Sequence, residues 1–521
     1  MNTIAGATTE QARCERWVMV ASITASAMAF IDGTALNVAM PAIQTDLQAG
    51  GSEILWFVNA YLLMLAALIL PGGAIGDILG RRRVFSFGIG LFVAASLFCG
   101  LAPTTLLLII GRALQGIGGA IMIPGSLAMI AAVFPSRTRG RAIGTWSAVS
   151  ALVTMIGPLL GGYLADLGQW RLIFYLNIPM GALALFALQT KVTERQNYSR
   201  DRRVDWIGAT LAVLGLGCVT YGFIDLPERG WAHPLVFGTI LAGGAALILF
   251  VVWQARSRRP MMPLHLFRVR TFSGANLLTL LLYGALSVAT FFMSLNFVQA
   301  QGYSQTQAGL AFLPFAIAMV ILSRWAGSLA DKLGPRPLLV AGPLLVAVGM
   351  YLTSRVGLTD GFADYWANFF PGLGFMGLGM GLTVAPLTTA AMGSVAESSA
   401  GTASGINNAV SRAAGVLAMA IVGAVAIVRF GAHLEEQFDA TSFPAVHRAA
   451  MLDAAAQMGD AHVPDDIPAE QQAAAALMLR SGFAHVCADV MFVSGVLALL
   501  AAVLAGWTID GRAPEESGEL S

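Results

Sequence analysis

The sequence predicts an all-α polytopic membrane protein, and three observations support this prediction. Of the 521 residues, 57% are hydrophobic and 11% are charged, whereas soluble domains carry about 25% charged residues. Many apolar stretches reach the roughly 20 residues that a helix needs to cross a bilayer. The net charge is only +1, so the overall charge does not favour nucleic acid as a partner.

About fourteen apolar stretches are predicted to cross the membrane. The first contains Asp32 and ends at Pro41. It is longer than the apolar part of a signal peptide and lacks a small-residue cleavage site, so we interpret it as a span. In chain order the predicted spans are residues 16–40, 53–75, 84–102, 105–133, 142–166, 170–190, 204–225, 234–254, 271–299, 306–330, 337–356, 364–393, 400–429 and 482–507.

Basic residues occur in alternate loops between these spans. Arg81, Arg137, Arg200, Arg258 and Lys332 mark five such loops, whereas the other short loops have almost no basic residues. Cytoplasmic loops of membrane proteins carry an excess of Lys and Arg. The pattern therefore predicts that these loops and both termini are cytoplasmic, in a multi-pass protein of the cell membrane.

One predicted external segment, residues 430–481, is long and alanine-rich. Within it, DDIPAEQQAAAALMLRSG (465–482) predicts a helix that begins at Pro468 and ends near Arg480 and Gly482. We expect a helical hairpin outside the membrane. Two roles stay open for it, a solvated lid and a docking element for an adaptor protein.

The two halves of the chain contain related segments. GAIGDILGRRR (73–83) resembles GSLADKLGPR (327–336), and Asp77 precedes Asp331 by 254 residues, as Arg16 precedes Arg270. A repeat of this size indicates two homologous bundles of six helices. The predicted domains are residues 1–190, an inserted helix pair at 204–254, residues 271–507 with the external hairpin, and a cytoplasmic tail at 508–521.

Five motifs, in order and at matching spans, give the chain a specific resemblance to a known family. They are DGTALNVAMP (32–41), GAIGDILGRRR (73–83), GRALQGIGGA (111–120), GPLLGG (157–162) and QWRLIFYLNIP (169–179). With them the chain resembles a major facilitator superfamily transporter of the 14-spanner drug:proton antiporter branch, the EmrB/QacA type. The resemblance covers nearly the whole chain and implies the major facilitator fold. Ile78 departs from the family pattern, which often has Arg or Lys there.

The first of these repeated loops is expected to gate the transporter. Asp77 can pair with the arginines that follow it or cap a helix, and Gly76 and Gly80 permit close backbone approach. A contact of this kind would hold one face shut in one state and break in the other, although a simple topology anchor stays open. The expected gating residues are Gly73, Asp77, Gly80, Arg81 and Arg82, with Asp331 and Arg336 in the second copy.

The GPLLGG motif is expected to control packing in the fifth span. Pro158 removes a backbone donor, and Gly157, Gly161 and Gly162 remove side-chain bulk, so the helix can kink and pack closely. The resemblance implies that this packing restricts leak and favours exchange. Ordinary packing of small residues is the alternative.

Charged residues inside the predicted spans are few, and Asp32, Arg112, Arg324 and Arg412 are the chief ones. Arg324 lies seven residues before Asp331, near the cytoplasmic end of its span, where we expect a snorkelling side chain or a structural pair. A carboxylate in a bilayer costs roughly 2.5–3.5 kcal/mol on insertion scales, which favours a bound proton or a partner. Asp32 and Arg112 lie at similar predicted depth and can meet. We interpret them as the proton-coupling pair, with a static salt bridge as the alternative. For Arg412, a structural contact and a role in transport stay open.

Aromatic, methionine and amide side chains within the predicted spans are the candidates for the wall of a substrate cavity. They are Trp56, Asn59, Tyr61, Gln115, Met122, Met155, Asn177, Phe291, Phe292 and Asn296. Such residues also occur in plain helix packing, which is the alternative for each of them.

No cofactor, metal or catalytic site is predicted. GLGFMG (372–377) fits a dinucleotide-binding pattern but lies in an apolar helix with no preceding strand. The only lysines are Lys191 and Lys332, and neither follows a glycine, so there is no P-loop. Without an ATPase, transport work must come from a gradient.

The sequence therefore predicts a proton-coupled exporter, not an enzyme, for amphipathic and often cationic toxic compounds. Its two halves would rock to expose the substrate to either side in turn. Its partners would be the small-molecule substrate, protons and the lipid bilayer. Two alternatives stay open, a dedicated exporter of an endogenous metabolite, lipid or siderophore, and a subunit of a multi-component export assembly.

Overall fold

A computed structural model describes residues 2–191, 204–396, 399–441, 443–458, 461–464 and 467–510. Throughout this part of the chain the regular structure is helical and contains no β-strand. The predicted tail beyond Asp510 and the arginine-rich stretch 192–203 lie outside the described residues.

Up to Arg256, the described residues form nine α-helices. They are α1 (Asn2–Leu47), α2 (Gly51–Leu79), α3 (Arg81–Leu101), α4 (Thr105–Val133), α5 (Ser136–Asp166), α6 (Leu172–Tyr175), α7 (Asn177–Lys191), α8 (Trp206–Arg229) and α9 (Pro234–Arg256). The last two correspond to the predicted inserted pair.

The second half begins after a short 3₁₀ helix, Leu264–Arg268. Its α-helices are α10 (Arg270–Gln299), α11 (Gln305–Ala311), α12 (Leu313–Leu333), α13 (Pro335–Ser354), α14 (Tyr365–Asn368), α15 (Phe370–Gly393), α16 (Ala400–Thr441), α17 (Ala445–Ala456) and α18 (Ala469–Thr508). A second 3₁₀ helix, Phe362–Asp364, precedes α14.

The predicted fold class is confirmed. Thirteen helices in the described chain are long and apolar enough to cross a membrane, and α5 supplies a shorter apolar segment, Leu152–Asp166. Three predicted spans are broken near one end, where Pro179, Pro314 and Pro371 occupy the first turns of α7, α12 and α15. Proline lacks an N–H and clashes with the preceding turn, so each helix restarts there.

The repeat predicted from the sequence is visible in the packing. In the first half α4 packs on α2 and α3, and α1 packs on α5 and α7. In the second half α15 packs on α12 and α13, and α10 packs on α16 and α18. Gly80 (φ 102°) and Gly334 (φ 78°), again 254 residues apart, make the equivalent breaks before α3 and α13 with positive φ angles, which glycine adopts at no steric cost.

The two halves of the molecule pack together unevenly. We call the face that carries Arg81, Arg270 and Arg336 the arginine-rich face, and the other the opposite face. On the opposite side, first-half residues such as Phe57 and Trp170 join the core of the second half. Toward the arginine-rich face the buried residues of the first half form a core of their own. Packing therefore closes the opposite side, whereas on the arginine-rich side the halves keep a direct contact between α2 and α16.

The predicted external hairpin differs from the structure in one respect. The helix beginning after Pro468 does not end at Gly482 but continues as α18 to Thr508. A Cβ on Gly482 would lie 2.9 Å from the Phe430 ring, so this glycine permits close packing against α16 and does not end a helix. The acids Asp465 and Asp466 lie outside the described residues.

The hairpin also reaches across to the first half. The side-chain amide of Gln44, near the end of α1, donates to the Gln457 carbonyl. Gly51, at the start of α2, packs directly against Ala456 and Met458. The segment after α17 therefore covers the α1–α2 connection on the opposite face.

Candidate functional site

A buried charged cluster lies within the first half. Asp32 of α1 and Arg112 of α4 form an ion pair, with 0% and 3% of their side chains exposed. Gln115, one turn beyond Arg112, completes a triangle. Its carbonyl oxygen accepts a hydrogen bond from Arg112 at 2.7 Å, and its amide donates to the other Asp32 oxygen at 2.8 Å. The predicted meeting of Asp32 and Arg112 is thus present, with a third partner that depth alone did not indicate.

Aromatic rings of α2 complete the cluster. The Arg112 guanidinium lies 4.3 Å from the centre of the Tyr61 ring and 5.1 Å from that of Phe57. Rings in these positions stabilise a buried cation through their negatively polarised faces. Arg112 Nε is buried without a hydrogen-bond partner among the described residues. The guanidinium therefore depends on Asp32, Gln115 and the two rings for its compensation.

Glycines of α4 make this arrangement possible. A Cβ on Gly116 would lie 2.5 Å from the Tyr61 carbonyl oxygen, and one on Gly118 would lie 2.7 Å from the Phe92 nitrogen. The helices α2 and α3 therefore approach α4 more closely than a side chain allows. The glycines of the GRALQGIGGA motif bring α2 against the same helix that carries Arg112.

Protonation of Asp32 would change the cluster. In the ionised state the Asp32 carboxylate accepts one hydrogen bond from the charged Arg112 guanidinium and one from the neutral Gln115 amide. Both of its oxygens therefore have a partner within the cluster. A proton on Asp32 removes the attraction for Arg112, and a buried cation without its anion is costly. The arrangement thus links the charge of one carboxyl group to the packing of α1 against α4.

A second feature is a cavity between the two halves, with a volume of about 380 Å³. This is within the usual range of about 300–1,000 Å³ for small-molecule sites. It extends from mid-depth toward the arginine-rich face. Its wall is formed by Phe30, Leu62, Thr154, Tyr283, Ser287, Val384, Thr388, Ala391, Met392, Ser404, Asn407, Asn408, Ser411, Arg412 and Gly415.

Arg412 is the charged residue of this wall. It lies twelve residues into α16, or about 18 Å along the helix. Its Nε is buried, and within the described chain it has no hydrogen-bond partner. No carboxylate occurs among the lining residues. The structural pair that the sequence left open for Arg412 is therefore absent from the described contacts.

The charged cluster and the cavity are adjacent along α2. Leu62 lines the cavity, and the neighbouring Tyr61 carries the ring under Arg112. Tyr61 and Leu62 thus place the cluster and the cavity wall on neighbouring residues of one helix.

None of the predicted cavity residues that the structure describes lines this cavity. Most are buried in packed positions, namely Asn59, Tyr61, Gln115, Met122, Asn177, Phe291, Phe292 and Asn296. Asn177 donates to Ser96 at 2.8 Å, and Phe291 and Phe292 pack edge to face at 5.4 Å. Trp56 packs on Tyr221, and the side chain of Met155 is outside the described part. These residues therefore serve helix packing in this structure.

The predicted gating loop is only partly described. Arg82 donates to the Gln189 carbonyl at 3.0 Å and Arg81 to the Ala128 carbonyl at 3.4 Å, so both arginines attach the loop to neighbouring helix ends. The side chains of Asp77 and Asp331 lie outside the described part, and Arg336 is exposed. Gly73 contacts Pro124, whereas no atom of the described residues lies within 4 Å of a Cβ on Gly76. The close approach expected at Gly76 is therefore absent from the described contacts.

The GPLLGG motif lies at the seam between the two halves. A Cβ on Gly157 or Gly161 would collide with Thr34 or Ala35 of α1, and one on Gly162 would collide with the Gln305 carbonyl of α11. Pro158 lies inside α5, and its carbonyl lies against Gly309. The motif therefore packs α5 on α1 and on the second half at once.

One residue at this seam was not selected from the sequence. Asp166, the last residue of α5, accepts hydrogen bonds from the backbone N–H groups of Gln305 at 2.9 Å and Thr306 at 2.8 Å. These are free N–H groups at the start of α11, where a carboxylate is stabilising. The sequence signal for this contact is an aspartate four residues after the GPLLGG motif.

Comparisons with known proteins agree with the fold and indicate the class of relatives. The family model described as Major Facilitator Superfamily matches residues 23–419. The multidrug resistance protein Stp of Mycobacterium tuberculosis is 35% identical over 419 residues, which cover 79% of this chain and 76% of Stp. The tetracenomycin C resistance and export protein of Streptomyces glaucescens is 29% identical over 495 residues, or 94% of this chain and 91% of that protein.

Among solved structures, a bacterial homologue of the human lysosomal transporter Spinster aligns with a TM-score of 0.61 at 19% identity. The alignment covers 95% of this chain and 97% of the other. At this identity the match concerns the fold.

Proposed function

The chain belongs to the Major Facilitator Superfamily, and we propose that it exports small amphipathic compounds in exchange for protons, as a member of the 14-spanner drug:proton antiporter branch. As a family member it is a multi-pass membrane transporter and not an enzyme. The names of its relatives, which include a multidrug resistance protein and an antibiotic resistance and export protein, support export as the direction.

The observation that carries the proposal is the Asp32–Arg112–Gln115 cluster beside the cavity. When Asp32 is ionised, its pair with Arg112 holds α1 against α4. When it binds a proton, the pair weakens, and Arg112 keeps Gln115 and the rings of Tyr61 and Phe57 as partners. A single proton thus selects between two packings of α1, which is the kind of two-state element that alternating access requires.

The next turn of α1 transmits this change to the seam. Thr34 and Ala35, two and three residues after Asp32, are the contacts of Gly157 and Gly161. Through Gly162 and Pro158, α5 contacts α11 of the second half. A shift of α1 that follows protonation of Asp32 is therefore passed to the contact that closes the opposite side. The glycines of α5 at these contacts have no side chain that could rearrange to take up the shift.

In this proposal the arginine-rich face and both termini are cytoplasmic. The excess of Arg and Lys on that side supports the orientation. The cavity between the halves then lies on the cytoplasmic side, where an exporter collects its substrate. The gradient supplies the work, because protons entering from outside and released inside can drive substrate outward.

Two finer points concern the substrate and the hairpin. The cationic compounds expected from the sequence are not favoured by a cavity whose charged wall residue is Arg412. The tetracenomycin C relative, named for one compound, favours a dedicated exporter as the second candidate. For the hairpin we favour a lid over an adaptor site, because Phe443 and Met451 are buried against this chain's own core.

The decisive experiment uses purified protein in proteoliposomes with an imposed pH gradient and a fluorescent amphipathic compound. Gradient-dependent accumulation that a protonophore abolishes is the expected result. Accumulation that continues with protonophore and requires ATP would contradict the proposal.

A further inference from the structure

We propose that the cavity between the halves binds the acidic group of its substrate at Arg412, so that this transporter selects amphipathic compounds carrying a carboxylate or an equivalent anion. The inference rests on the proposed export function for its context and adds the substrate class and the residue that recognises it.

The first argument is the unbalanced charge. Arg412 lies about 18 Å along α16 and at the wall of the cavity, with Nε buried and unpartnered in the described chain. An arginine within a bilayer costs roughly 2.5–3.5 kcal/mol on insertion scales unless it is paired or hydrated. The buried acid of the first half, Asp32, is occupied by Arg112 and Gln115. An anion in the cavity is therefore the partner that Arg412 lacks.

The second argument is the shape of the recognition group. A guanidinium presents five N–H donors in a planar fork that matches the two oxygens of a carboxylate. Tyr283 of α10 lines the same cavity and adds a hydroxyl. Together they form a donor site for an anion, with Phe30 and Leu62 of the first half supplying apolar surface on the other wall.

The third argument concerns the remaining polar groups. The Ser411 hydroxyl donates to the Asn408 carbonyl at 2.8 Å, and the Asn408 amide donates to the Ser404 carbonyl at 3.1 Å. The Asn407 amide donates to Thr279 at 2.7 Å. Each of these three side chains thus makes at least one hydrogen bond within the protein, unlike the Nε of Arg412. Among the described groups of the cavity wall, Arg412 is thus the strong donor that lacks a partner. In this proposal Arg412 recognises the charge of the ligand.

The test measures binding to wild-type protein in nanodiscs of zwitterionic lipid. Three fluorescent probes of matched size are 1-pyrenebutyrate, 1-pyrenebutanol and 1-pyrenebutylammonium, with binding to protein-free nanodiscs subtracted. We expect the carboxylate to bind at least about tenfold more tightly than the alcohol, as one charge-assisted hydrogen bond provides, and the ammonium to bind most weakly. Equal or tighter binding of the ammonium overturns the proposal.

Substitutions of Arg412 test whether this residue causes the preference for the carboxylate probe. Arg412→Gln should weaken carboxylate binding about ten- to a hundredfold and change alcohol binding less than about threefold, while Arg412→Lys should retain part of the preference. Arg324→Gln is the matched control, because Arg324 is an exposed arginine of α12 outside the cavity wall. A uniform loss for all three probes in Arg412→Gln would assign this residue a structural role only and overturn the proposal.

Transport of the same probes separates this inference from the proposed function. Arg412-dependent binding of the carboxylate, with no probe moved by a pH gradient, supports the inference and rejects proton-coupled exchange. Gradient-driven movement of the ammonium, with binding indifferent to Arg412, rejects the inference and supports proton-coupled exchange.

Discussion

Gly309 of α11 lies directly against the backbone carbonyl of Pro158 in α5, with no room for a side chain between them. One turn along α5, Gly162 makes the reciprocal contact with the Gln305 carbonyl of α11. These two contacts join the halves of the molecule on the opposite face through backbone atoms, beside the side-chain packing of Phe57 and Trp170. Substitutions that add a side chain at these glycines therefore test how much the seam contributes to closure.

Gly162→Val should weaken the closed seam. The added methyl groups collide with the Gln305 backbone, and overpacking of this kind costs about 1–3 kcal/mol. We expect a faster proton leak without substrate and slower coupled transport, measured in proteoliposomes by a pH-sensitive dye. Gly374→Ala, on α15 with no atom within 4 Å of the added Cβ, is the control. An unchanged leak in Gly162→Val would show that the seam does not seal the transporter.

Asp166→Ala should loosen the same seam from its outer end. The substitution removes the acceptor of the Gln305 and Thr306 N–H groups, and loss of such a helix-start acceptor costs about 0.5–2 kcal/mol. A cysteine at Ala165 in a cysteine-free background should then react faster with a membrane-impermeant maleimide than in the parent. Asp166→Asn, which keeps one acceptor, should lie between the two.

Asp32→Asn should abolish gradient-driven efflux. The amide cannot exchange a proton, and it leaves Arg112 buried without its anion, at a cost of about 3–5 kcal/mol for a broken buried pair. Efflux under an imposed pH gradient and thermal unfolding of the purified protein measure the two effects. Asp32→Glu, which keeps a titratable group, should retain part of the efflux.

The double variant Asp32→Asn with Arg112→Gln separates coupling from stability. Removing both charges should restore much of the melting temperature, because no unpaired ion remains in the cluster. It should not restore uphill efflux. Full gradient-driven efflux in the double variant would falsify the role of Asp32 as the proton carrier.

The orientation can be tested with single cysteines. Val446 of the hairpin is 77% exposed and should, as Val446→Cys, react with an impermeant maleimide in intact cells. Arg336→Cys, on the arginine-rich face, should react only after the membrane is permeabilised. The reverse pattern would place the termini outside.

The sequence was sufficient for the architecture because its signals are local and repeated. The offset of 254 residues reappears in Gly80 and Gly334, which have positive φ at equivalent helix breaks. The depth of Asp32 and Arg112 along their helices was enough to predict that they can meet. That they do meet depends on the packing of α1 on α4, which the structure shows.

The cavity was harder to predict because it depends on which helix faces point between the halves. Phe291 and Phe292 are cavity candidates by their aromatic character, yet their rings pack edge to face in a buried contact. Ser404 and Asn408, which line the cavity, are unremarkable in the sequence. Gly482 was interpreted as a helix end, but it makes room for Phe430. In each case tertiary packing, and not local preference, decides the role of the residue.

The inserted helix α8 contacts both halves of the transporter. It packs on α2 of the first half and α16 of the second, and Ala66, Ala67, Ala212, Leu216 and Val416 form their common core. A helix that packs on both halves links them along this edge of the molecule. If the halves move as proposed, we expect them to slide along α8 here by shear rather than to part, which would keep lipid out of the space between the bundles.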